Sequence, residues 1–196
     1  MNDIKKSDID IACVGLVKSL FGNWYKEDEN FRGTPERISK MYREMILPKE
    51  EINRIVEKQF TKTFPSKSNS VIVAPGIKAF SVCPHHLLPI EYDIVIGYQP
   101  NLRVVGASKL ARVAVTTAKQ AILQEDYVLE LSEYIKQYLN CKGHGIVVIG
   151  YHGCMRCRGI QTQGSFCVSE LAGSFKDNPK IRDEFYKLID ISGGMK

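Results

Sequence analysis

The sequence predicts an α+β fold, with N-terminal helices followed by a four-stranded antiparallel sheet and two helices. Three observations predict it. The chain has 196 residues, 44% hydrophobic and 25% charged, enough apolar mass for one sizeable core without disulfide staples. Apolar residues recur at helical spacing up to about Phe60, and β-branched runs begin only near Ser70. From there the order reads strand, strand, helix, helix, strand, strand, and paired hairpin-like strands around two helices favour an antiparallel sheet. The chain therefore divides into a helical region, 1–65, and a sheet domain, 66–196.

Ser7 and Asp10 form a capping box for a first helix to about Phe21, with Ile9, Cys13, Leu16, Val17 and Leu20 inward. Lys26 to Gly33 reads as a loop. Thr34 caps a second helix with Pro35 at its first position, and Ile38, Met41, Tyr42 and Met45 form its apolar stripe. Pro48 ends it, and a third helix spans about Glu50 to Phe60. Val71-Ile72-Val73 opens a strand that bends at Ala74-Pro75-Gly76 and continues to Val82. A second strand covers about Tyr92 to Tyr98, and Pro100-Asn101 turns the chain into Val104-Val105. Ser108 reads as the cap of a helix that turns Leu110, Val113, Ala114 and Thr117 inward. The next helix, about Gln124 to Leu139, is ended by Gly143 and Gly145. Ile146 to Ile149 is a buried strand, and a last strand starts near Gly159. Pro179 to Ile189 is helical.

Lys and Arg number 27 against 22 Asp and Glu, a net charge of +5. The basic residues are dispersed among acids, which speaks against a nucleic-acid partner and suits a small polyanion. No apolar run reaches the roughly 18 residues of a membrane span. Asp8 and Asp10 stand where a signal peptide carries positive charge, so the expectation is a soluble, cytoplasmic protein with reduced thiols.

Three of the four histidines lie in two cysteine-containing segments, Cys83-Pro84-His85-His86 and His152-Gly153-Cys154-Met155-Arg156-Cys157-Arg158, each at a strand end. Zinc suits thiolate and imidazole donors. The two-residue gap between Cys83 and His86 lets both turn onto one ion, and Cys154 or Cys157 supplies a third donor. Three protein donors leave a position for water, whose pKa zinc lowers towards roughly 7. Four, with Cys157, make a structural site. The remaining histidines are then available for proton transfer. Singly, each feature has a blander reading, as a buried thiol or a redox motif. Lys109 and Arg112 share one side of a helix start, which itself attracts anions. Arg158, Arg37 and Lys40 add further cations. Glu125 beside Gln124 offers a carboxylate to a guanine edge.

Taken together, Cys83-x-His85-His86-Leu87-Leu88-Pro89, Ser108-Lys109-Leu110-Ala111-Arg112, Gln124-Glu125 and His152-x-Cys154-Met155-x-x-Arg158-Gly159 resemble GTP cyclohydrolase I, in family order. Thr34-Pro35-x-Arg37-Ile38-x-Lys40-Met41-Tyr42 and Asp177-x-Pro179-x-x-Arg182-x-Glu184-Phe185 resemble the family's N- and C-terminal motifs. The resemblance spans about Asn30 to Ile189. It implies a tunnelling fold assembling into a ring, as a homodecamer with active sites between subunits. It implies conversion of GTP and water to formate and 7,8-dihydroneopterin triphosphate. Matching positions make Cys83, His86 and Cys154 the Zn2+ ligands, and His85, His152 and Ser108 the catalytic residues. They place Glu125 and Gln124 at the base, and Lys109, Arg112, Arg158, Arg37 and Lys40 at the triphosphate.

The chain departs from the family pattern at Pro84, where a Glu is usual, at Lys119-Gln120, where two arginines are usual, at Ala107, and over 161–172. Two other functions fit the same residues. One is a relative acting on another purine or pterin. The other is a non-catalytic, zinc-stabilised assembly protein, which would have no use for His85 and His152 as spare acid–base groups.

Overall fold

The computed structural model describes residues 6–193, and internal contacts divide them into two compact units, one up to Ile46 and one from Leu47 on. No helix among the described residues is long and apolar enough to cross a membrane.

The first unit holds α1 (Lys6–Phe21) and α2 (Thr34–Met45), joined through a 3-10 turn at Trp24–Lys26. Helix α1 is already under way at Lys6, ahead of the expected cap, and the Ser7 side chain lies outside the described residues. Asp10 turns to α2 instead, accepting from Ser39 and pairing with Arg43 at 2.9 Å. Those partners, Arg43 first, hold its carboxyl below the usual aspartate range. Of the expected α1 stripe, Cys13 and Val17 are buried, whereas Leu16 and Leu20 are exposed. Gly33, at φ +80°, takes the N-cap position of α2 in place of Thr34. The Thr34 hydroxyl instead accepts from Arg37 at 2.9 Å.

The second unit runs α3 (Lys49–Phe60), β1 (Thr63–Pro65), β2 (Ile72–Val82), β3 (Pro89–Pro100), β4 (Arg103–Val105), α4 (Ala107–Thr117) and α5 (Gln124–Tyr138). It continues with β5 (Cys141–His152), α6 (Gly153–Arg156), β6 (Phe166–Gly173), α7 (Ser174–Asp177) and α8 (Pro179–Ile191). Strands β2, β3, β5 and β6 form one antiparallel sheet in that order, with the expected bulge between Ala74 and Ile77. The short β1–β4 pair was not anticipated.

Alternation along β3 sends Tyr92, Ile94, Ile96 and Tyr98 to a core shared with Ile52 and Val56 of α3, Leu110 and Val113 of α4, and Leu131 and Ile135 of α5. Val95 points to the opposite face, where it meets Val147, Phe175, Phe185 and Ile189. Gly143 and Gly145, read as helix breakers, lie inside β5. The helix ends earlier, at Tyr138. Gly97 pairs with Gly145 across β3 and β5. A Cβ at Gly97 would stand 2.5 Å from the Phe185 ring, and one at Gly145 2.8 Å from both Phe175 and Phe185. These glycines form the seat for the C-terminal aromatics. Strand β6 begins at Phe166, later than expected, because 157–165 is spent on the loop leaving α6.

His144 of β5 is buried, its Nε2 2.8 Å from the Ser132 hydroxyl on α5. Burial pushes its pKa down to about 4, with Glu133 opposing and Lys136 assisting. A base whose folded pKa lies below its unfolded value, roughly 6.5, stabilises the fold fully above that value. The contribution is lost as pH falls from 6.5 towards 4. Urea unfolding at pH 5 should therefore show about 2 kcal/mol less stability from this residue than at pH 7. His144→Asn should flatten that dependence, and an unchanged slope in the variant would assign the effect elsewhere.

Candidate active site

The β3–β5 register brings two motifs together that lie some 70 residues apart in sequence. Ile90 pairs with His152, so the turn before β3 and the end of β5 sit side by side at one end of the sheet. The turn is tight. Cys83 N–H donates to Leu88 O at 2.8 Å, Leu87 N–H to Cys83 O at 2.8 Å and His86 N–H to Cys83 O at 3.4 Å. These bonds ask no N–H of position 84, which is why Pro84 fits there. The turn folds His86 back over Cys83, leaving Cys83 Sγ 3.6 Å from His86 Nδ1 and 4.0 Å from His85 Nδ1.

Cys154 arrives from α6, immediately after β5. The approach is close, since a Cβ on Gly153 would stand 2.8 Å from the Pro89 carbonyl oxygen. Donor atoms of Cys83, His86 and Cys154 all lie within 4.8 Å of one another. With Zn–S near 2.3 Å and Zn–N near 2.1 Å, a tetrahedral ion separates its sulfur and nitrogen donors by about 3.6 Å. Cys83 and His86 already have that spacing, so the donor set fits zinc in both chemistry and size. Burial, and then the neighbouring Cys83 thiol, push the Cys154 thiol up, and a bound cation reverses that preference. Cys157 is outside the group. It is exposed, and its thiol donates to Gly153 O at 2.9 Å. That arrangement favours three protein donors over the four-donor alternative.

Around this group, Arg158 Nη1 lies 2.5 Å from His86 Nε2. His152, half-buried, has its Nε2 2.9 Å from Gln124 Oε1, and Phe166 meets its ring edge-on at 6.3 Å. Burial pushes the His152 pKa down, and the charge of Glu125 opposes it. Glu125 is exposed at the first turn of α5, close enough for its charge to be felt there. Gln124 is 1% exposed, and its amide also donates to Val148 O and Phe166 O at 3.0 Å each.

Ser108, Lys109 and Arg112 lie elsewhere. Val82, which leads into the Cys83 turn, bridges to Ala121 just beyond the C-terminal end of α4. Ser108 and Lys109 occupy the opposite, N-terminal end of that helix, about 12–14 Å from its last residue at 1.5 Å per residue, and Arg112 lies midway along it. Lys109 Nζ there contacts Gln59 Oε1 at 3.4 Å. Ser108 is not the cap; Gly106 takes that position and the helix starts at Ala107. In the first unit, Arg37 donates to Asn30 O, Arg32 O and Thr34 Oγ1 at 3.1, 3.2 and 2.9 Å, and Lys40 pairs loosely with Glu44 at 3.8 Å. Sequence reasoning missed the bond between Gln124 and His152, and the glycine at 150 that makes room for it. The only signal was the position of Gln124 at a helix start.

Residues 20–190 match the family model described as GTP cyclohydrolase I. Curated relatives named GTP cyclohydrolase 1 also match, three of them as follows. That of Finegoldia magna is 33% identical over 84% of this chain and 90% of its own. That of Clostridium perfringens is 35% identical over the same shares. That of Streptococcus sanguinis is 35% identical over 95% of this chain and 98% of its own.

Proposed function

The chain belongs to the GTP cyclohydrolase I family, and we propose that it hydrolyses GTP to formate and 7,8-dihydroneopterin triphosphate at a zinc site held by Cys83, His86 and Cys154. One observation carries this reading. Three soft donors converge at the sheet end while His85 and His152 stand beside them outside the donor set. A structural zinc has no need of such neighbours.

Zinc, when bound, supplies the Lewis acidity that makes water a nucleophile at neutral pH. The chain's own residues do the rest. Guanine C8 is a poor electrophile until N7 is protonated, and His152 delivers that proton. Hydrolytic opening of the imidazole ring and a second hydrolysis release C8 as formate. The ribose then opens, isomerises and recloses on the pyrimidine amine, with His85 and Ser108 moving protons. Glu125 accepts from guanine N1–H and the N2 amine, donors that adenine lacks. Arg158, Lys109, Arg112, Arg37 and Lys40 bind the triphosphate through charge-assisted hydrogen bonds. For Arg37 that means exchanging its bonds to the 30–34 loop for phosphate.

We take Ser108, Lys109 and Arg112 to act at the metal group of another copy, since Ser108 and Lys109 lie at the end of α4 away from the Val82–Ala121 bridge. Among the described residues, strands β2 and β6 each pair on one side only, and open edges invite pairing between copies. Membership of the family implies a homodecamer with sites shared between subunits, and we place it in the cytoplasm. Light scattering at micromolar concentration should give a mass ten times that of one chain; a monomer would overturn the shared site.

Incubating zinc-loaded protein with GTP and with ATP tests the base assignment. Formate should appear from GTP alone. Glu125→Gln should weaken GTP binding at least tenfold, about 1.4 kcal/mol, at unchanged zinc content. Equal turnover of ATP and GTP would show that the carboxylate does not read the base.

A further inference from the structure

Gln124 occupies the first position of α5, yet its side chain is spent entirely inside the chain. An amide has two N–H donors and one carbonyl acceptor. Both donors are engaged, by Val148 O on β5 and Phe166 O on β6, each at 3.0 Å. Neither backbone oxygen can donate, so the amide cannot be flipped. The atom left facing His152 Nε2 at 2.9 Å is therefore the oxygen, Oε1. An oxygen acceptor requires a hydrogen on Nε2. The tautomer of His152 thus follows from two carbonyls that never touch it.

The backbone around the pair is cut to suit it. Gly150 lies between Tyr92 and Phe166 in the sheet, two residues before His152 and on the same face of β5. A Cβ there would overlap Gln124 Oε1, stand 2.8 Å from its Cδ and 3.1 Å from His152 Nε2. An amide anchored at both donors cannot swing aside cheaply.

Building on the assignment of His152 as proton donor above, we infer that Gln124 is a positioning residue: it holds the ring with Nε2–H bound to its amide oxygen and so presents Nδ1 to the substrate. A role in binding guanine is left to Glu125, since no polar atom of Gln124 is open to a ligand. Partners that orient metal-ligating histidines fix tautomer and ring direction and cost about 10–100-fold in function when removed, and an effect of the same order is expected for this ring.

Two variants separate positioning from substrate binding. Gln124→Met keeps the length and removes the acceptor. Gly150→Ala keeps every atom of Gln124 and pushes Oε1 away. Both should lower kcat about 10–100-fold, with the GTP dissociation constant within roughly twofold and zinc content unchanged. The double variant Gln124→Met with His152→Ala should be no slower than His152→Ala, because Gln124 acts through the ring that has gone. Weakened GTP binding at unchanged kcat, or losses that multiply in the double variant, would overturn the assignment.

Solid-state 15N spectra of unmodified protein labelled at its four histidines, assigned by comparison with His152→Ala, give a readout that needs no activity. The signal lost in His152→Ala should be the Nε2-protonated tautomer. An Nδ1-protonated ring would refute the clamp whatever the enzyme does. Absence of formate release by the unmodified protein, with the Nε2–H tautomer present, would instead refute the reaction assigned above and leave the clamp standing.

Discussion

Replacing His152 by alanine is expected to leave the metal in place and to lower formate release about 10²–10⁴-fold, the usual cost of removing a positioned proton donor. The ring is not one of the three converging donors. Its Nε2 is committed to Gln124 at 2.9 Å, and it lies two residues from Cys154 at the end of β5. Its loss removes a proton at N7 and no bond to zinc. Burial lowers its pKa, and the Glu125 charge opposes that shift. A negatively charged substrate favours the protonated ring that an acid needs. Zinc analysis and a formate assay on the same sample check the two halves of this expectation. A metal-free His152→Ala protein would mean that ligand and acid have been exchanged.

The opposite pattern is expected for His86→Ala, with metal and activity lost together. Two thiols without an imidazole make an incomplete site for an ion that wants at least three protein donors. The residue is exposed on a turn whose hydrogen bonds are backbone ones, so the fold should survive its truncation. The same change frees Arg158, whose guanidinium now rests on His86 Nε2. Activity should fall by more than about 10³-fold, since water attack without the metal loses several kcal/mol of stabilisation. Cys157→Ala is the matching control. Its thiol bonds only to Gly153 O, so zinc content should stay at one per chain. Zinc lost from Cys157→Ala and retained in His86→Ala would replace the three-donor assignment.

The α+β order was legible in the sequence because periodicity changes sharply near Ser70, and because Pro75-Gly76 marks a bulge that the β2–β3 register confirms. Cys83 and His86 were legible from their spacing at a strand end, whereas the choice of Cys154 over Cys157 came from the family resemblance. What stayed hidden depends on contacts distant in sequence. Gly145 reads as a helix breaker until Phe175 and Phe185 are seen lying on it and on Gly97. Thr34 and Ser108 look like caps, but glycines one or two residues earlier take those positions. Lys109 and Arg112 look like neighbours of the metal motifs because all are basic or metal-binding. Which end of α4 faces the site is set by the Val82–Ala121 bridge, and no local pattern reveals it. Gln124 was visible only as half of a dipeptide, and its orientation requires two carbonyls on different strands.

The central claim is that this chain opens the imidazole ring of GTP at C8. Zinc-loaded protein incubated with GTP carrying 13C at C8 tests it most directly. The label should leave entirely as 13C-formate, one per GTP consumed, with an unlabelled pterin triphosphate remaining. Label retained in the nucleotide product, or no formate from fully metallated protein, would contradict it.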